Sequence, residues 1–293
     1  MASILPLAKK VLALPFPKRF IWTPYYWLVS RRYRSYLGKR LGPYFQPVQD
    51  APTPPKDLVV QVGAVSQAQL DQMFRPGNGF PDRYRALGKI TILKWLQTLE
   101  GHGFNLRTMG AVLEFGCGTG RLLQHFRNID GIRAVGTDLN PVMVAWCQEN
   151  LPDCAFHRNE LEPPLAFAEA DSFDLVYAYS VFTHIPVELQ TPWLLEMKRI
   201  LKPGGFLVCT VAGWWLERQL VGEEDREKLK KEGFVQYSSQ DSHASLSTQE
   251  EGSHWDIYQT RREVIRVFGA HFQLRDYLPD AQDILILQKA RPS

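Results

Sequence analysis

The stretch VLEFGCGTGR, residues 112–121, passes from an apolar, β-branched and aromatic run into three glycines at alternate positions, Gly116, Gly118 and Gly120, and then into RLLQHF. That order reads as strand, tight turn and helix, with the helix beginning near Thr119. A turn of this kind presents backbone N–H groups at a helix N-terminus, where a negatively charged group binds. A dinucleotide fingerprint would place glycine at 121, where Arg121 stands, and no G-K-S/T follows to make a phosphate loop. The spacing is G-x-G-x-G, with Glu114 two residues before the first glycine.

Downstream the rhythm repeats. AVLEF (111–115), RAVGTD (133–138), CAFHRN (154–159), FDLVYAYS (173–180) and FLVCTVAG (206–213) read as strands. PVMVAWCQEN and PVELQTPWLLEMKRIL read as helices between them; the second carries Leu189, Trp193, Leu194, Met197, Ile200 and Leu201 on one face and stops at KPGG (202–205). Alternation of this kind predicts an α/β fold, a mostly parallel sheet covered by helices on both faces. The closing HFQLRDYLPDAQDILILQKA reads as two strands joined by a polar turn, which a dinucleotide fold would not have.

Asp138 ends the second strand, at about the distance from the glycine turn where a carboxylate grips a ribose diol. One carboxylate can accept from both hydroxyls. The competing role for Asp138 is a helix N-cap, for which Asn140, just before Pro141, is better placed.

Composition bounds the rest. The chain has 293 residues, 45% of them hydrophobic and 12% aromatic, which supports one large domain with additions and excludes a disordered chain. Cys117, Cys147, Cys154 and Cys209 form no C-x-x-C pair, so zinc and disulfide frameworks lack support and a reducing, cytoplasmic setting fits. Residues 1–50 hold nine Lys or Arg against Asp50 alone, so the remaining residues carry a net −5 within the overall +3. Ile4, Leu7, Ala8, Val11 and Leu12 recur at helical spacing in this arm, and FIWTPYYWLVS (20–30) is too short, at 11 residues with an internal Pro24, to span a bilayer. The arm suits an anionic membrane surface or an RNA backbone; a helical subdomain packed on the main fold is the other reading. Prolines at 43, 47, 52, 54 and 55 mark a linker. The expected organisation is therefore an arm and linker over 1–56, a helical region over 57–109 and a catalytic domain over 110–293. In the helical region, Tyr84, Leu87, Ile90, Ile92, Leu93, Leu96 and Leu99 form an apolar stripe ending at Gly101 and Gly103.

Taken in order, VLEFGCGTGR, GTDLNP, FDLVYAYSVFTHI and RILKPGGFLV resemble the class I S-adenosylmethionine-dependent methyltransferases, over roughly residues 85–290. The resemblance implies a Rossmann-like, seven-stranded sheet whose last strand is antiparallel, with S-adenosyl-L-methionine as cofactor and no metal. Within the superfamily, YSVFTHIP with LLEMKRILKPGG is similar to enzymes that methylate sugars, glycans and secondary metabolites.

Carried over residue by residue, the resemblance implies that Gly116, Cys117, Gly118, Thr119 and Gly120 let the backbone approach the amino-acid end of the cofactor. It likewise implies that Glu114 supports the loop and the ammonium side, Asp138 holds the ribose, Leu139 packs on the adenine and Asn159 or Glu160 meets the adenine amine. The family often has Asp where Asn159 stands. Tyr179 and Ser180 end the fourth strand, where the methionyl portion and the incoming methyl group should lie. If the acceptor is a hydroxyl, a base must take its proton, and His184 is the candidate on location; ordering its loop or capping the next helix is its bland alternative.

Residues 213–258 read as an insertion that shapes the substrate pocket, with a charged helix at EEDREKLKKE and a polar loop at SSQDSHASLSTQEEGSHWDIY. Trp214, Trp215, His243 and His254 are its candidate substrate residues, although the tryptophans could equally cover the sheet edge. The expected partner is a small-molecule or glycan acceptor. Nucleic acid is not expected, because YSVF replaces the D/N-P-P-Y/F element of amino-methyltransferases that act on it. A lipid or quinone methyltransferase at a membrane surface, contacting it through residues 1–50, and a non-catalytic cofactor-binding interaction protein are the alternatives.

Overall fold

The structure, a computed structural model, describes Pro54 and residues 80–292 apart from 128, 214–221 and 239–254, with side chains from 87 onward. Chain contacts separate two units, Met1–Tyr44 and Phe45–Ser293, and every described residue lies in the second. The arm and linker apart from Pro54, residues 57–79, Trp214, Trp215, His243 and His254 therefore lie outside the described residues.

Five of the apolar runs become strands close to where the residue pattern puts them: β1 (Ala111–Phe115), β2 (Arg133–Asp138), β3 (Ala155–Arg158), β4 (Phe173–Ala178) and β5 (Leu201–Val211). The closing pair is β8 (Gln273–Leu278) and β9 (Asp283–Gln288). Together they form one seven-stranded sheet in the order β3-β2-β1-β4-β5-β9-β8. The first five strands pair in parallel, and β9 is antiparallel to both of its neighbours. Strand order reverses between β1 and β4, and ligands of open α/β sheets bind outside the carboxyl ends of the strands at such a point.

The strands are short and apolar because both faces are covered. One face takes α3 (Val187–Ile200) and α5 (Arg261–Gly269), whose Trp193, Leu194, Met197, Ile200, Val264 and Phe268 pack on Val176, Ala178, Leu207, Cys209, Leu285 and Leu287. On α1 (Phe80–Gly101), Ile92, Leu93, Trp95, Leu96 and Leu99 are buried, and Trp95 meets Tyr177 of β4 at 6.0 Å between ring centroids. Leu87, expected in that stripe, is 39% exposed. Beside β2, α2 (Pro141–Asn150) begins with Asn140 as its N-cap, the amide oxygen accepting from Val142 and Met143 N–H.

Three local expectations are corrected. No α-helix follows β1: residues 118–127 are turns around a 3₁₀ segment, Leu123–His125. The run between Gly120 and Gly131 is short, and short helices form only when packing supports them. Here the buried side chains of Leu122, Leu123 and Phe126 reach the core from the tighter turns. KPGG does not only stop α3, which already ends at Ile200. Its residues loop out between the Phe173–Leu201 and Leu175–Phe206 pairs, where Lys202 Nζ meets both Asp174 carboxylate oxygens at 2.9 Å. Finally, WDIY of the expected polar loop is strand. β7 (Trp255–Gln259) pairs antiparallel with β6 (Phe234–Ser238), which follows α4 (Glu223–Glu232). Val235, Ile257 and Tyr258 are buried there, a short apolar signal within a polar stretch.

Candidate active site

The turn after β1 is drawn onto β2 by its own backbone. Gly116 and Cys117 N–H both donate to Thr137 O, at 2.8 and 2.9 Å, and Gly120 N–H donates to Cys117 O at 2.8 Å. The alternate glycines follow from this path, since Gly116, Gly118 and Gly120 all have positive φ, which costs glycine nothing. Packing adds a second demand at two of them. A Cβ on Gly116 would lie 2.4 Å from Val181 Cγ2, and one on Gly120 2.5 Å from Leu151 Cδ1.

Two acids flank the turn. Asp138 Oδ2 accepts from Gly118 N–H at 2.7 Å and Oδ1 from Asn140 N–H at 2.9 Å, so each oxygen retains acceptor capacity. Burial pushes this carboxyl above the usual range, against the pull of backbone N–H groups from Asn140, Gly118 and Leu139. Glu114 is 3% exposed beneath the loop; its Oε2 accepts from Leu123 N–H at 2.8 Å and from the Tyr177 hydroxyl at 3.3 Å. Burial pushes Glu114 up to about 8, Arg121 opposes the shift, and the neighbouring Asp138 adds to it. A buried Glu114 and a half-buried Asp138 flank the same turn, and in their ionised forms they suit a cationic ligand. S-adenosylmethionine, with its ammonium and sulfonium charges and its ribose diol, fits that set of acceptors.

Other expected cofactor residues are placed differently. The Cys117 thiol is buried beneath the loop, 3.7 Å from Gly118 O, and its hydrogen bond with Cys147, together with burial, raises it well above the thiol range. Thr119 is buried as well. Asn159 straps β2 to β3: its Oδ1 accepts from the Thr137 hydroxyl at 2.9 Å, and its Nδ2 donates to Glu160 O at 2.8 Å. An adenine amine would have only the remaining lone pair of that oxygen. Glu160 is exposed and Leu139 half-buried. Among the described residues no α-helix stands behind the glycine turn to aim a dipole at a carboxylate, which corrects that part of the expected binding mode.

Beyond β4 the chain builds a second wall. The Tyr179 ring, 37% exposed, lies 5.3 Å from the Arg121 guanidinium and 5.8 Å from Trp95. Ser180 takes a left-handed conformation, φ +59°, unusual for a residue with a side chain. A closed ring of hydrogen bonds holds it there. Ser180 N–H donates to Thr210 Oγ1 at 2.7 Å, the Thr210 hydroxyl to Gln282 Oε1 at 2.7 Å, and Gln282 Nε2 to Ser180 Oγ at 2.8 Å. Val181 then packs on Gly116, and His184 N–H closes a turn on Val181 O at 2.8 Å, which brings the His184 loop against the glycine turn.

The half-buried His184 has its Nδ1 2.7 Å from Trp255 O and 3.6 Å from Asp256 Oδ1. A carbonyl oxygen only accepts, so Nδ1 carries the proton and the lone pair of the neutral ring sits on Nε2.

Sequence reading missed Trp95, Thr210, Gln282 and Asp256. Nothing in the local pattern marks a Thr inside an apolar strand or a Gln in a polar turn, since their roles depend on strands brought together across the sheet. Among the described residues, no group of three or more His, Cys, Asp or Glu could hold a metal.

Residues 112–205 match the family model described as a methyltransferase domain. An uncharacterized methyltransferase of Mycobacterium leprae (strain Br4923) is 32% identical over 168 residues, covering 54% of this chain and 58% of that protein. A phthiotriol/phenolphthiotriol dimycocerosates methyltransferase of Mycobacterium ulcerans (strain Agy99) is 33% identical over 134 residues, covering 41% of this chain and 46% of that protein. The chain thus spans about half the length of the curated relatives it matches. Among solved structures, the PH0226 protein of Pyrococcus horikoshii OT3 superimposes with a TM-score of 0.48 at 17% identity, over 68% of this chain and 90% of that one.

Proposed function

We propose that the chain is a class I S-adenosylmethionine-dependent methyltransferase that methylates a hydroxyl group of a small molecule, sugar or glycan; the match of residues 112–205 to a methyltransferase domain supports the reading. The observation that carries this reading is the pairing of Asp138 with the glycine turn at the point where strand order reverses. S-adenosylmethionine supplies a methyl group on a sulfonium leaving group, so the protein's part is mainly to position. In this reading Asp138 accepts from both ribose hydroxyls. Glu114, under the turn, holds the loop through Leu123 N–H. Ser180 and Tyr179 face the transferring methyl, and His184 Nε2 takes the acceptor proton. The Mycobacterium ulcerans relative is named for a triol, which fits an oxygen acceptor.

Calorimetry tests the reading. The wild type should bind S-adenosylmethionine, and Asp138→Ala should weaken it by about 2 kcal/mol, the scale of charged hydrogen bonds lost. Equal affinity in the two proteins removes Asp138 from the site. Profiling metabolites with labelled methyl donor, with and without the protein, identifies the acceptor. Binding without any labelled product would instead favour a cofactor-binding interaction protein.

A second acceptor class has its own support in the arm. A basic, aromatic segment ahead of the domain suits a lipid or quinone presented at an anionic membrane surface. No helix among the described residues is long and apolar enough to cross a membrane.

A further inference from the structure

We propose that Asp256, on strand β7 of the insertion, is a positioning residue that favours the protonated form of His184, whose ring tautomer the neighbouring Trp255 carbonyl fixes. The inference rests on the methyltransferase reading only in giving His184 the acceptor's proton.

Three observations carry it. The Trp255 carbonyl, at 2.7 Å, holds the Nδ1 proton and so turns the basic nitrogen, Nε2, the other way. The Asp256 carboxylate lies 3.6 Å from that same Nδ1, close enough to stabilise the imidazolium formed when Nε2 takes a proton. Strand β7 is also fastened to the His184 loop, not merely adjacent to it. Ile257 N–H donates to Thr183 O at 2.9 Å, and Gln259 on β7 exchanges two 3.1 Å hydrogen bonds with Gln190 of α3. Among the described residues, the acid recorded against the ring is Asp256 on β7; the first turn of α3 carries another, Glu188. Glu188 is turned to Gln236 on β6, at 3.5 Å. The insertion therefore supplies the groups that make His184 a directed base, and it couples the proposed substrate region to the proton-transfer step. In that step the acceptor O–H bond breaks, oxygen bonds the methyl carbon, the C–S electron pair leaves with sulfur, and the proton moves to Nε2.

Proton–nitrogen NMR of the full chain tests this without knowledge of the acceptor, with the His184 signals assigned by their loss in His184→Gln. In the wild type, His184 should appear as the tautomer protonated on Nδ1. Asp256→Asn, which keeps shape and removes charge, should lower the measured His184 pKa by about half a unit or more, a discount from closer and drier pairs. Asp256→Glu should restore most of it. A merely structural Asp256 would change melting temperature and leave that pKa in place, and this result overturns the proposal. Calorimetric binding of S-adenosylmethionine, run on the same samples, reports separately on the methyltransferase reading. If binding is absent while the His184 pKa still follows Asp256, that reading fails and the positioning role stands.

Discussion

At the scale of single residues, Glu114 is where burial and charge conflict most openly. An acid held up to about 8 in the folded protein releases its proton near 4.5 in the unfolded chain. Between those values the folded state binds more protons, so the contribution of Glu114 to stability is complete below about 4.5 and is lost as pH rises toward 8. Glu114→Gln removes this dependence while keeping an oxygen for Leu123 N–H and Tyr177. Its melting temperature, measured without cofactor, should therefore fall less than the wild type's between pH 5 and pH 8. Parallel curves would show that the carboxyl is already ionised in the folded protein. Ser180 makes a second residue-scale case. Strained backbone persists where its surroundings over-determine it, and here Gln282 and Thr210 are those surroundings. Gln282→Leu should leave two hydroxyls short of a partner and cost about 1–3 kcal/mol in denaturant unfolding. Adding Ser180→Gly, which relieves the positive φ, should return part of that loss. Equal losses in the single and double variants would mean that the ring does not hold Ser180.

At the scale of elements, the central strands were legible and the joints were not. AVLEF and FDLVYA announce buried parallel strands because both faces are covered and each run is apolar apart from one acid, Glu114 or Asp174. The closing hairpin was legible because a polar turn separates two alternating runs. The helix expected from near Thr119 failed for a tertiary reason: Leu122, Leu123 and Phe126 reach the core from 3₁₀ turns, and local pattern cannot choose between the two. The β6–β7 ribbon was hidden because its signal is three buried side chains, Val235, Ile257 and Tyr258, among polar neighbours. What fastens that ribbon is the reciprocal amide pair of Gln190, fully buried, and Gln259, 7% exposed. Gln190→Leu should cost about 1–3 kcal/mol because it strands the partner amide. Combined with Gln259→Leu, the loss should be smaller than the sum of the two single losses, since the double variant leaves no orphaned amide, and the Phe182 and Ile185 carbonyls lose the Gln190 donor in the Gln190 single variant as well. Additive losses in urea unfolding would show that the pair is not coupled.

At the scale of the whole molecule, charge is divided between a basic arm and an acidic remainder, and this division bears on the proposed membrane-presented acceptor. Residues 1–50 carry a surplus of eight positive charges together with Phe16, Phe20, Trp22, Tyr25, Tyr26 and Trp27. Each basic residue near an anionic leaflet contributes roughly 1 kcal/mol, and aromatic insertion adds to it. The screened part of that attraction weakens as the Debye length falls from about 30 Å at 0.01 M salt to about 3 Å at 1 M. The full chain should therefore float with vesicles rich in anionic lipid at low salt and detach as salt rises, while ignoring zwitterionic vesicles. A chain beginning at Asp57 should float with neither. Its affinity for S-adenosylmethionine should match that of the full chain, because every proposed cofactor residue lies beyond 110. A full chain that ignores anionic vesicles, beside a truncated one that aggregates, would make the arm a cover for the fold and remove the membrane-presented acceptor from consideration.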